Sequence, residues 1–194
     1  MNHADHVALI RAGVEGDAGR RRRWLELGAG RGAFTLALAE LLGPGGEIDA
    51  VDRDGGDLRR LAEEMTARFP ATRLRTIQAD FEAPIDLPAA HYDGLLAANA
   101  LHFVRDPAAV LRALLPSLRP AARVIVVEYD ADSGNPWVPY PFSSGRWEEI
   151  ATAVGLENMR SIGRVPSRFL GAIYAAASDV PAAASLVGRQ GATV

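Results

Sequence analysis

Short apolar runs alternate with stretches of helical spacing along most of the chain. Residues 24–27 form one apolar run and end at a glycine-rich turn. Phe34, Leu38, Leu41 and Leu42 then mark one face of a helix, which the glycines and proline of 43–46 stop. Residues 47–51 read as a second strand ending at Asp52. Leu58, Leu61 and Met65 stripe the next helix, which Pro70 closes. A third strand is predicted over 72–79 and a fourth over 92–98, separated by a loop holding Pro84 and Pro88. Pro107 suits the first turn of a helix running through Val110, Leu111, Leu114 and Leu118. The β-branched run 124–127 is the pattern of a strand buried on both faces.

Strands that alternate with helices imply a parallel sheet covered on both sides, an α/β doubly wound fold. The last part of the pattern differs. A helix is predicted over 145–154, with Trp147 and Ile150 inward. Two strands, 157–165 and 170–177, follow in direct succession, joined by 166–168, and should pair antiparallel. Residues 133–144 hold three prolines among Trp137, Tyr140 and Phe142, and read as an ordered loop. A short helix over 5–14 precedes the breaks at Gly16 and Gly19, and the basic run Arg20 to Arg23 reads as a solvated lead-in to the first strand. The expected organisation is a short cap (1–19), one domain (20–178) and an alanine-rich tail (179–194).

The turn after the first strand carries Gly28, Gly30 and Gly32, followed directly by a helix. Glycine is needed where φ is positive or where backbone must approach a ligand without a Cβ. The free N–H groups of a helix start favour negative charge. Together these predict a nucleotide-type cofactor. The glycines alone do not choose it, because Gly28-x-Gly30-x-x-Ala33 also satisfies the dinucleotide fingerprint. Asp52, twenty residues past Gly32, can accept ribose hydroxyls in either class.

Three features move the balance. Glu26 sits within the end of the first strand, where a buried carboxylate needs a cationic or hydrogen-bonding partner. The ammonium of a methionine moiety is such a partner; a pyrophosphate would be repelled. Asp80 ends the third strand, where it can accept from an adenine amino group while the Phe81 N–H donates to the ring. The chain also closes with a helix and two strands rather than a second βαβ half. On these residues, with Asn99-Ala-Leu-His102 and Val127-Glu-Tyr129, the sequence resembles the class I S-adenosylmethionine-dependent methyltransferases over roughly residues 5–178. The resemblance implies a Rossmann-like, mostly parallel seven-stranded sheet whose last strand lies antiparallel beside the fifth. It implies S-adenosylmethionine as cofactor, with Glu26, Gly28, Gly30 and Gly32 near the methionine part. Asp52 then lies on the ribose, Asp80 and Phe81 on the adenine, Arg53 stacks on the ring, and Asn99 completes the set.

Composition narrows the chemistry. The chain has no cysteine, so thiolate metal sites and cysteine nucleophiles are excluded. It has no lysine either: all 21 basic residues are arginine, which excludes a Schiff base, a P-loop lysine and the lysine-containing ribose-methylating tetrad. The four histidines are scattered, and Glu128 and Asp130 do not complete an acid cluster with Asn99, so no metal is expected. A net charge of −3 gives no basis for attracting nucleic acid or a membrane surface. No apolar run approaches the ~20 residues of a membrane span, and residues 1–19 lack an apolar signal core, so a cytoplasmic protein is expected.

Asn99 to Val104 lacks the proline pair of DNA amino-methylating enzymes and looks like the quinone, lipid and natural-product methyltransferases. A small organic acceptor, methylated at O, N or C by in-line displacement, is therefore expected. His102 is the candidate base or orienting group, and Tyr129 lies on the same sheet edge. Trp137, Tyr140 and Phe142 are candidates to line the pocket. The acceptor site could be open, or completed by 5–14 and 133–144, or by a second copy of the chain in a homodimer. A nicotinamide oxidoreductase and a non-catalytic cofactor- or partner-binding module remain as alternatives.

Overall fold

The computed structural model describes residues 1–15, 22–88 and 91–182. Gly16, Gly19, Arg20, Arg21 and the tail from residue 183 lie outside the described residues. Seven strands form one sheet: β1 (Arg23–Leu27), β2 (Glu47–Asp52), β3 (Arg73–Gln78), β4 (Tyr92–Ala98), β5 (Leu118–Tyr129), β6 (Glu157–Pro166) and β7 (Ala172–Asp179). Their order is β3-β2-β1-β4-β5-β7-β6. Neighbours from β3 to β5 are parallel, and β7 runs antiparallel between β5 and β6. This is the Rossmann-like sheet that the resemblance implied, with the last strand antiparallel beside the fifth.

The inner strands bury both faces, while the edge strands β3 and β6 stay partly exposed, and side chains divide by the two-residue repeat. Trp24, Leu96, Ile125 and Val127 join one core with helices α1 (His3–Val14), α2 (Ala33–Leu42) and α3 (Gly55–Arg68). Leu25, Leu95, Val124 and Val126 join the other with α4 (Pro107–Leu114) and α5 (Ser144–Ala153). The first helix is a layer of this core: its Gly13 admits Ile125 and Ile162, and the Arg123 guanidinium donates to the Gly13 carbonyl at 2.9 Å.

Two expectations are corrected. Leu118 lies in β5, because Pro116 lacks an N–H and cannot extend the helix; a 3-10 turn over Leu115–Ser117 follows α4 instead. The described half of the arginine run is not simply solvated. Asp93 accepts the backbone N–H groups of Arg22 and Arg23 at 3.0 and 2.9 Å, and the Arg23 guanidinium pairs with Glu47. The chain turns at the carboxyl ends of β1, β2, β3, β4 and β5 therefore gather along one sheet edge, where ligands bind in folds of this kind.

Candidate functional site

A cavity of about 300 Å³ opens at that edge, at the small end of ligand pockets. Of the predicted residues, Gly28, Gly30, Asp52, Arg53, Asp80, Phe81 and Asn99 line it, with Phe103. A larger hollow of about 860 Å³ adjoins through Phe81 and Glu82, between the 81–88 loop and α4, but it lacks the glycine turn and its acids.

The turn explains its glycines. Gly28 has φ +65° and a Cβ there would stand 2.5 Å from the Ala100 Cβ. Gly30 has φ +51° and only open space where a side chain would go, so any Cβ would enter the cavity. Gly32 is the residue before α2, and no side chain caps that helix. Asp52 braces the turn: its Oδ2 accepts from the Gly30 N–H at 2.7 Å and its Oδ1 from the Asp54 N–H at 2.9 Å. Asp80 holds its own loop, accepting from the Glu82 N–H at 3.0 Å.

Three buried oxygens beside the turn have no hydrogen-bond partner: Glu26 Oε2, Thr35 Oγ1 and Asn99 Oδ1. An unpaired buried carboxylate is costly. Burial lifts the Glu26 carboxyl from 4.5 to about 8, the Thr35 hydroxyl opposes the rise, and the Asp52 charge adds to it. Asn99 has φ +51°, a left-handed conformation held by its N–H bond to the Val127 carbonyl at 2.8 Å. Strain and an unmet acceptor coincide at this residue.

His102 does not line the cavity. Its side chain is only 3% exposed, and its Nδ1 lies 2.7 Å from Glu128 Oε2. Glu128, considered in the sequence only for an acid cluster, is what holds this turn. Its Oε1 accepts the N–H groups of Ala100, Leu101 and His102 at 3.1, 2.9 and 3.3 Å, so one carboxylate shapes the whole turn after β4. A carboxylate with these donors is an acceptor, which assigns a proton to Nδ1. The signal was an acid in the apolar run Val124 to Tyr129, the same pattern that singled out Glu26. Tyr129 packs edge-on to His102, ring centroids 5.7 Å apart, and burial followed by the Glu128 charge raises its phenol pKa.

The predicted pocket aromatics separate. Phe142 is core, stacked with Trp147. Tyr140 is held by Arg105, which donates to its hydroxyl at 3.1 Å and lies over its ring. Trp137 is 70% exposed. The loop is ordered through the Tyr140 N–H, which donates to the His102 carbonyl at 2.9 Å, and through Asp130 and Asp132, which accept from Ser144 and Ser143. Among the described residues no helix is long and apolar enough to cross a membrane.

Comparison with known proteins gives the arrangement a context. Residues 25–124 match the family model described as a methyltransferase domain. A ubiquinone/menaquinone biosynthesis C-methyltransferase UbiE of Azotobacter vinelandii is 31% identical over 114 residues, 59% of this chain and 45% of that protein. The chain thus spans less than half the length of that curated relative. A solved structure of a SAM-dependent methyltransferase from Aquifex aeolicus superposes with a TM-score of 0.67 at 18% identity, over 91% of this chain and 93% of that one. The CurJ carbon methyltransferase does so at 0.71 and 20%, over 94% and 54%. At these identities the two structures speak for the fold.

Proposed function

This chain belongs to the methyltransferase domain family, and from that premise we propose that it binds S-adenosylmethionine at the sheet edge and methylates a small organic acceptor. The observation that carries the reading is the buried Glu26 carboxyl beside a glycine turn, whose Oε2 has no hydrogen-bond partner. The residues present fit the cofactor. Glu26 would receive the ammonium group, and Asn99 Oδ1 offers a second unmet acceptor. Asp52 would accept from the ribose with the lone pairs its backbone bonds leave over. Asp80 and the Phe81 N–H would meet the adenine edge, with Arg53 against its face.

When bound, S-adenosylmethionine supplies a carbon activated for displacement by its sulfonium. The chain must then orient the acceptor, exclude water and, where the nucleophile carries a proton, receive it. We assign that last role to His102. Glu128 fixes Nδ1–H and leaves Nε2 as the basic nitrogen, and it stabilises the imidazolium that forms. Tyr129 bounds the ring and excludes water. This pair suits an acceptor that loses a C–H or O–H proton, which agrees with the C-methyltransferase named among the relatives.

The test is a thermal melt with either S-adenosylhomocysteine or NADH. A ligand at a hundred times its Kd stabilises by about 2.7 kcal/mol. S-adenosylhomocysteine is expected to raise Tm and NADH to leave it unchanged; the reverse would refute the assignment.

A further inference from the structure

We propose that Phe103, Tyr129, Trp137 and Phe169 form the acceptor-binding wall and that it takes a flat, conjugated ring. The proposal rests on the methyl-transfer reading for its purpose, while the wall itself is seen directly.

The four rings come from separate stretches of chain brought to one edge. Phe103 ends the 3-10 turn Leu101–Phe103 after β4, and Tyr129 ends β5. Trp137 belongs to the loop before α5. Phe169 lies in the β6–β7 turn, which reaches the same edge because Tyr129 pairs with Ile173 at the start of β7. Neighbouring rings are in contact. His102 lies 4.3 Å from Phe103 and 5.7 Å from Tyr129, Tyr129 lies 5.9 Å from Phe169, and Phe169 lies 6.1 Å from Trp137.

Phe103 is 49% exposed and Phe169 48%, so with Trp137 the chain keeps three large apolar rings in water at one place. Exposed apolar rings linked in one chain of contacts mark a binding surface. Its location identifies the occupant. Phe103 lines the cofactor cavity, and Phe103 and Tyr129 both pack on His102, so the wall adjoins the reaction site. Rings meeting at tilted and edge-on angles leave π-faces and edges open to a further ring. The four side chains carry no formal charge, and their ring faces are the main surface they offer.

Trp137 also reports on the site. The other two tryptophans, Trp24 and Trp147, are buried at 0% and 1% exposure. The experiment uses the whole chain labelled with 5-fluorotryptophan and saturated with S-adenosylhomocysteine. Fluorine NMR follows titration with 2-naphthol, and with 2-decalol as a saturated ring pair of similar size. Trp137→Phe assigns the resonance. The expected result is that 2-naphthol moves the Trp137 signal alone and 2-decalol does not. Phe169→Ala should weaken 2-naphthol by about threefold to tenfold, while S-adenosylhomocysteine affinity stays within about twofold because Phe169 lies outside the cofactor cavity.

Equal response to 2-decalol, no response to 2-naphthol, or an unchanged affinity in Phe169→Ala overturns the proposal. So does a dimer in light scattering that Phe169→Ala dissociates, since the wall would then join two copies. Cofactor binding is read separately on the same samples. If S-adenosylhomocysteine fails to bind while 2-naphthol still moves Trp137, the methyl-transfer reading fails and the ring site stands.

Discussion

Glu26→Gln should make the protein more stable and less able to bind its cofactor. Folding raises the Glu26 pKa from 4.5 to about 8. Between those values the folded state holds a proton that the unfolded state has released. Stability therefore falls as pH rises through that window, and the loss is complete above about 8. At pH 7, 2.5 units above 4.5, the cost is roughly 3 kcal/mol at about 1.36 kcal/mol per unit. Glutamine keeps the shape and cannot ionise. The free variant should thus melt higher at pH 7, by roughly 6–12 °C at ~2–4 °C per kcal/mol for a chain of this size, and the difference should vanish below about pH 4. Thermal melts in a pH series measure this. Binding the ammonium of S-adenosylhomocysteine should ionise Glu26 and release its proton. Wild-type affinity should then rise by up to about tenfold per pH unit from 5.5 to 7.5, and the variant's should stay low and flat. Calorimetry in buffers of different ionisation heat counts the proton. A variant no more stable at pH 7, or a wild-type affinity indifferent to pH, would refute the reasoning.

Other variants probe the remaining parts. Asp52→Ala should weaken S-adenosylhomocysteine by roughly tenfold to a hundredfold, since bonds to a charged group are worth about 1.5–3 kcal/mol, and titration calorimetry reads this. Glu128→Ala strips the acceptor from three backbone N–H groups and from His102. It should lower stability by about 3 kcal/mol or more, seen in denaturant unfolding. Glu128→Gln should fold better than Glu128→Ala yet lose methyl transfer, with cofactor affinity retained. Gly28→Ala forces a Cβ against Ala100 at positive φ. It should abolish cofactor binding in equilibrium dialysis and lower Tm in a thermal melt.

The sheet was legible because its signals are local. Each apolar run, each helical stripe and each strand-end acid can be read within a dozen residues, and the parallel direction of the strands follows from the alternation. The same holds for the glycine turn, Asp52 and Asp80. What stayed hidden depends on contacts between distant stretches. His102 and Glu128 are 26 residues apart, and neither alone announces the other. Phe169, in a turn with no motif, joins the site only because β7 inserts beside β5. Leu118 fitted the helical stripe, and only Pro116 spoke against it. Phe142 and Tyr140 shared the loop's composition with Trp137, but packing against Trp147 and Arg105 took them elsewhere.

The central claim is that a methyl donor lies at the carboxyl edge of this sheet with its ammonium on Glu26. A calorimetric titration of the wild-type chain with S-adenosylhomocysteine, repeated with the analogue lacking the α-amino group, tests it most directly. The account predicts that the parent binds with proton release at pH 6.5 and that the deaminated analogue binds far more weakly, with none. Equal binding of the two, or binding of NADH in their place, would contradict it.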